Sequence, residues 1–320
     1  MKIYREIGEI KEQFPHACVT IGNFDGVHLG HQRLFDAVKQ KAFHSRGASV
    51  VITFNPHPLQ VLRPGGIKLI STCEQKIELI AMSGIDALVI IPFSKEFAAM
   101  TALRFVEEIL IGRIGVKQLF VGYDYAFGKG RAGDISFLRQ QGDEKGFSLT
   151  VIEPYHESDI LVSSTKIREL VAAGLMDETK ALLGRCYQIR GEVQRGKQRG
   201  GKEIGFPTAN LHIDEEDLIP RHGVYVCQVI YDGKKYGGVI NIGFNPTFSE
   251  NKLIAEVHIF DFNQDIYGKP IKVNLLHFLR QERKFSGIQE LSAQIAHDVV
   301  EARGVLERTS RRIEGSANIL

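Results

Sequence analysis

The chain has 320 residues, long for one hydrophobic core and suited to two domains of about 150 residues each. It is 43% hydrophobic and 24% charged with a net charge of only +2, which argues against the basic excess of a dedicated nucleic-acid binder. Cys18, Cys73, Cys186 and Cys227 lie far apart without Cys-x-x-Cys or metal-ligand spacing, as expected of reduced, structural thiols.

The N-terminal stretch alternates charged and apolar residues and lacks the apolar core of a signal peptide. The longest strongly apolar run, 87–93, is far short of a membrane span, so the expectation is a cytoplasmic protein with no membrane partner. From residue 17 to about 153, apolar runs alternate with segments of helical period. Val19–Ile21 begins a strand that passes through a glycine-punctuated loop into a helix carrying Leu34, Phe35 and Val38. Val50–Phe54 is a second strand, and Ser71-Thr-Cys-Glu74 has capping-box spacing for a helix bearing Ile77, Ile80 and Ala81 and closed by Gly84. Ala87–Ile91 reads as a strand buried on both faces, Thr101 as the cap of a helix to Gly112, and Val116–Val121 and Ser148–Ile152 as further strands before a helix at about 165–173. This alternation predicts a Rossmann-like α/β domain, a parallel sheet with helices on both faces and ligand at the carboxyl ends of its strands.

Past Leu182-Leu-Gly-Arg185 strand follows strand: Tyr187–Val193, Gly223–Tyr231, Lys235–Ile242, Ile254–Phe260 and Ile271–Phe278, with a turn at Asp232-Gly233. The succession predicts an antiparallel β-barrel or sandwich, followed by a helix from Ser286 to about Glu307. The expected domains are 1–184 and 185–320.

Four stretches of the first domain invite chemistry. In Val19-Thr-Ile-Gly-Asn-Phe-Asp-Gly-Val-His-Leu-Gly-His31, a loop feeds a helix N-terminus, where amides and helix dipole favour an anion. Gly30 allows close backbone approach, and His28 and His31 can donate to phosphoryl oxygens. Phe54-Asn-Pro-His-Pro58 holds His57 in a stiff loop that, alone, is simply a turn. Phe120-Val-Gly-Tyr-Asp-Tyr-Ala-Phe-Gly128 and Lys129-Gly-Arg131 place Asp124, Phe127 and Arg131 after a strand, suited either to wrapping a planar ring or to surface packing. Ser163-Ser-Thr-Lys-Ile-Arg168 opens a helix, where Ser164 and Thr165 can cap amides or bind phosphate and Lys166 and Arg168 add charge. In the second domain Gly196-Lys-Gln-Arg-Gly-Gly-Lys202 fits seven positions of a Walker A loop, but Glu203 stands where Ser or Thr is required, and Ile204-Gly-Phe-Pro207 cannot open a long helix; the P-loop reading fails.

The string Gly22-Asn-Phe-Asp-Gly-Val-His-x-Gly-His31 resembles the nucleotidyltransferase signature of the prokaryotic bifunctional riboflavin kinase/FMN adenylyltransferases, and Ser163–Arg168 resembles a second motif of that family. The resemblance implies that Gly22, Asn23, Phe24, Gly30, His57, Ser164, Thr165 and Arg168 hold ATP and its phosphates while His28 and His31 act in adenylyl transfer to FMN. Gly205-Phe-Pro-Thr-Ala-Asn210 resembles the riboflavin kinase signature; it implies Mg²⁺ bound by Thr208 and Asn210 with the ATP phosphates, a Gly-rich flap whose Lys202 binds ATP phosphate, and Glu256 as the base acting on riboflavin. Gly223-Val-Tyr225, Asn241–Phe248 and Arg280–Phe285 also resemble that module as framework and pocket walls; His258 and Arg283 receive no catalytic role. The implied partners are ATP, riboflavin and FMN, with FAD as product; the oligomeric state is open. Rival readings are one degenerate module, a non-catalytic flavin binder, or a tRNA synthetase-like protein, the last disfavoured by the small net charge.

Overall fold

The computed structural model describes residues 1–195, 205–244 and 253–317. They fall into two compact units, Met1–Lys166 and Ile167–Leu320.

In the first unit, β1 (Lys2–Tyr4), β2 (Ala17–Ile21), β3 (Ser49–Asn55), β4 (Ala87–Pro92), β5 (Val116–Gly122) and β6 (Ser148–Ile152) form one parallel sheet in the order β1-β4-β3-β2-β5-β6. The two-residue period of the strands sends alternate side chains into two cores. Cys18, Val51, Leu88, Ile90 and Phe120 pack against Leu34, Phe35 and Val38 of α1 (Leu29–Ser45) and, past the short α2 (Pro58–Leu62), Ile80 of α3 (Cys73–Met82). Val19, Ile21, Val50, Ile52 and Leu119 face the other way, onto Phe105, Val106, Ile109 and Leu110 and onto Leu138 of α4 (Ile135–Lys145). The chain steps outward from β2 to β3 and β4, then returns to add β5 on the opposite side. The loop after β2 therefore sits at the switch point, where open α/β sheets take their ligands.

Local chemistry departs from the sequence expectation in four places. The α3 cap is Thr72, whose hydroxyl accepts from Gln75 N while the Gln75 side chain accepts from Thr72 N; Ser71, one residue earlier, is engaged elsewhere. Thr101 does cap a helix, but after Ala102–Arg104 the winding widens to a π-helix over Phe105–Ile114, ended by left-handed Gly115 rather than at Gly112. Strand β1, only three residues long, is too short to read as a strand from the alternation of the N-terminal stretch. Helix α4, poor in apolar residues, is absent from the sequence expectation; its cap is Asp134, which accepts from Phe137 N at 2.8 Å.

A two-stranded ribbon, β7 (His156–Glu157) and β8 (Ile160–Leu161), precedes α5 (Ser164–Ala173), which runs on into the second unit. After α6 (Met176–Leu183), strands β9 (Tyr187–Gln194), β10 (Ala209–Leu211), β11 (Gly223–Tyr231), β12 (Lys234–Phe244), β13 (Leu253–Ile259) and β14 (Pro270–Arg280) close an antiparallel barrel in the order β10-β13-β12-β11-β14-β9. The structure thus selects the barrel over the sandwich, and closure uses the three-residue β10, too short to read from its pattern. Asp232 (φ 48°) and Gly233 (φ 72°) supply the two left-handed residues of the β11–β12 turn. Tyr225, Cys227, Val229, Ile240, Ile242, Ala255, Val257 and Val273 fill the interior. On the outer face Val224, Val226 and Val239 meet Ala302 of α7 (Ile288–Ala317). Gly237 lies so close to that helix that a Cβ there would stand 2.6 Å from Leu306.

An ion pair anchors the same helix. The Arg280 guanidinium, at the end of β14, donates to both carboxylate oxygens of Asp298 at 2.7–3.1 Å, and Gln294 Nε2 adds a bond at 2.8 Å; Asp298 is 3% exposed. Asp298→Ala would leave a half-covered cation unpaired, and the expected loss is about 3 kcal/mol in urea unfolding of the second unit. An unchanged midpoint would contradict it.

Candidate active sites

The first site is the loop 22–28 between β2 and α1. It turns tightly through left-handed conformations at Phe24 (φ 51°), Gly26 (φ 79°) and Val27 (φ 39°). Phe24 is buried, its ring packed edge-on against Phe35 at 4.9 Å and His31 at 5.2 Å. His28 and His31 stack with centroids 3.5 Å apart at 21°, face to face at the α1 N-terminus. Gly22 faces the Phe24 ring at 2.8 Å from where a Cβ would be, and Gly30 faces the His28 ring at 3.2 Å.

Three connections bring neighbouring stretches to this loop. The buried Asp25 carboxylate accepts from Ile70 N and Ser71 N at 3.1 Å, and Ser71 Oγ accepts from Gly26 N at 3.0 Å. Ser164 Oγ donates to Asp25 O at 3.0 Å, which brings the start of α5 to the 22–28 loop. Lys76 Nζ donates to Asn23 O at 3.2 Å and Phe54 O at 3.1 Å, joining the carboxyl ends of β2 and β3. The Phe54 end leads to His57, whose Nδ1 accepts from Leu59 N at 3.1 Å. That acceptor carries no proton, so the neutral ring keeps its proton on Nε2, as a donor. Asn23 and Thr165 are exposed at the rim; Arg168 belongs to the second unit. After β5, Asp124 and Arg131 are exposed, whereas Phe127 packs into the core edge against Phe105 at 5.3 Å and Tyr125 at 5.5 Å.

The second site lies on the outer face of the barrel. Asn210 of β10 is paired directly with Glu256 of β13, and Glu256 with Asn241 of β12. Opposed residues of antiparallel strands sit about 5 Å apart with side chains on one face, so one carboxylate and two carboxamides share a row. The interior-facing neighbours Ala255 and Val257 are fully buried, while Glu256 is half-buried. Burial pushes the Glu256 carboxyl above its usual range, the condition of a proton acceptor. Asn241 Nδ2 donates to Glu282 at 3.3 Å. Thr208 comes just before β10, and there His258, two residues beyond Glu256, bonds Pro207 O through Nδ1 at 2.8 Å and meets the Phe206 ring edge-on. His258 thus holds the Thr208–Asn210 segment. Among the described residues no three His, Cys, Asp or Glu side chains converge as a metal cage. Lys202 and its flap, and 245–248, lie outside the described residues.

Sequence reading passed over Asp25, Ser71, Lys76 and His258 as site residues. Only Lys76 left a signal, a lysine four before Ile80 on the apolar face of α3.

A switch-point anion loop on a parallel sheet, joined to a barrel bearing a perturbed carboxylate opposite an asparagine, defines a two-module nucleotide-dependent transferase. The family model described as FAD synthetase matches residues 10–166, and that described as riboflavin kinase matches 183–306. A Bacillus subtilis (strain 168) relative named bifunctional riboflavin kinase/FMN adenylyltransferase is 38% identical over 298 residues, 92% of this chain and 93% of its own. One of the same name from Escherichia coli (strain K12) is 36% identical, covering 95% of this chain and 97% of its own. A solved structure titled as a macrolide-efflux protein from Streptococcus pneumoniae is 32% identical with a TM-score of 0.85, covering 94% of this chain and 98% of its own. That title belongs to the pneumococcal protein. The chain belongs to the bifunctional riboflavin kinase/FMN adenylyltransferase family. Among the described residues no helix is long and apolar enough to cross a membrane.

Proposed function

We infer that the barrel unit phosphorylates riboflavin to FMN and that the α/β unit adenylylates FMN to FAD, with a functional boundary near Gly184. The observation that carries this reading is the succession of the two family matches along one chain, each over a unit with a fitting site.

In the kinase step the riboflavin 5′-hydroxyl loses its proton to Glu256 as its oxygen bonds to the γ-phosphorus of ATP, and ADP leaves with the electrons of the broken bond. The neutral oxygens of Thr208 and Asn210, beside Glu256, suit Mg²⁺ shared with ATP phosphates. When bound, that ion neutralises phosphate charge. Asn210 orients the nucleotide across from the base, and His258 holds the segment in place.

In the second step a phosphate oxygen of FMN bonds to the α-phosphorus of ATP and pyrophosphate leaves. His28, His31 and the first amides of α1 meet the charge that develops, and His57 Nε2–H adds a donor. Ser164 keeps an acceptor hydroxyl at the loop while Thr165 and Arg168 extend the phosphate cradle along α5. The Asp124–Arg131 loop contributes to the flavin or nucleotide wall, with Phe127 as its anchor. Both steps fit a cytosol supplied with ATP, and the four cysteines are free thiols.

Purified chain given riboflavin, ATP and MgCl₂ should yield FMN and then FAD by chromatography, and EDTA should halt both steps. Riboflavin recovered unaltered would end this reading.

A further inference from the structure

Lys76 is 6% exposed, and no other lysine is buried among the described residues. Among the described residues its ammonium has no carboxylate within ion-pair distance; Asp25, the carboxylic acid that acts on it after the nearer influence of the Cys73 thiol, spends its oxygens on the amides of Ile70 and Ser71. The two acceptors of Lys76 are main-chain carbonyls, Asn23 O and Phe54 O, and Thr53 Oγ1 also donates to Asn23 O at 3.1 Å. Those carbonyls are the roots of the two loops that carry the imidazoles: one leads to His28 and His31, the other to His57.

A neutral amide could bridge two carbonyls without burying a charge, and burying an ammonium is costly unless something negative compensates it. Among the described residues no carboxylate forms an ion pair with Lys76. The floor of an anion site supplies a negative partner once phosphates arrive, and a full charge acts strongly through a poorly solvated medium. Burial also lowers the Lys76 pKa, so a bound polyanion and the protonated amine favour one another.

We propose that Lys76 is a positioning residue of the adenylyl-transfer site: from beneath, its ammonium straps the His28–His31 loop to the His57 loop and supplies the positive charge that the nucleotide phosphates meet. This rests on the assignment of FMN adenylylation to the first unit.

The test uses the full chain with Lys76→Gln, Lys76→Met and Lys76→Arg. Gln keeps a donor and drops the charge, Met drops both, and Arg keeps the charge. FMN-to-FAD kinetics give KM for ATP and kcat separately, calorimetry gives the affinity for inorganic pyrophosphate, and riboflavin phosphorylation is the control in the same chain. The expected result is a KM for ATP raised about tenfold or more in Gln and Met, pyrophosphate binding weakened in parallel, a smaller change in Arg, and phosphorylation unaltered. A lysine that served folding alone would lower the active fraction, hence apparent kcat, and leave KM and pyrophosphate affinity where they were; that outcome in the Gln variant overturns the proposal. Should the Met variant fail to fold, the contrast of Gln with Arg still decides. Failure of the wild-type chain to make FAD from FMN would instead remove the underlying assignment.

Discussion

Replacing Glu256 by Gln is expected to slow riboflavin phosphorylation by about 10²–10⁴-fold while FMN is still converted to FAD at the wild-type rate. Gln preserves the volume on β13 and the register against Asn210 and Asn241, so the loss isolates the proton acceptor rather than the barrel. The pH dependence carries a second signature. The carboxylate works only when ionised, and burial raises its pKa, so the phosphorylation rate should fall as pH drops at a higher pH than an exposed glutamate would set. The same shift means that the folded barrel favours the protonated acid, so Glu256 costs stability as pH rises through its folded pKa, and the Gln variant should unfold no earlier than wild type at neutral pH. Chromatographic assays of each step, repeated across pH, provide the check. Loss of both steps, or a rate and pH profile unchanged in Gln, would refute the assignment.

The complementary double substitution His28→Ala with His31→Ala should stop the pathway at FMN, with adenylylation down about 10³-fold or more and phosphorylation intact. Because the rings stack at 3.5 Å and His31 also carries the edge of Phe24, either single change removes the support of the other ring. Each single variant should therefore lose nearly as much as the double, a non-additivity that independent donors would not show. FAD formation from added FMN in the three variants, beside riboflavin phosphorylation as the internal control, measures it. Additive losses would mean that the two imidazoles act separately.

Much of this architecture was legible because it is written locally. Unbroken apolar runs such as Ala87–Ile91 mark strands covered on both sides, and Asp232-Gly233 marks a hairpin whatever surrounds it. The paired histidines and Glu256 stand out as candidates only through their resemblance to family motifs. Other features arise only in three dimensions. The Ser71 hydroxyl belongs to the 22–28 loop instead of a helix cap because Gly26 comes to it from 45 residues away. Nothing near Lys76 in the sequence announces that two strand ends converge on its ammonium. Nor does the run around His258 announce a bond to Pro207, which lies 51 residues earlier. Phe127, chosen as a candidate ring-binding residue, has its aromatic face packed against Phe105 and Tyr125, and short-range pattern cannot distinguish those two uses of a phenyl ring.

The left-handed residues between β2 and α1 bear on when the anion cradle takes shape. Phe24 and Val27, side-chain-bearing residues, hold a backbone geometry that an unfolded chain seldom visits, and their own buried side chains keep them there. The conformational toll of that bend is met when the polypeptide first folds. On the proposed reading, an incoming nucleotide would find a hollow already cast, with its binding free energy left for the chemistry rather than for moulding the wall around it.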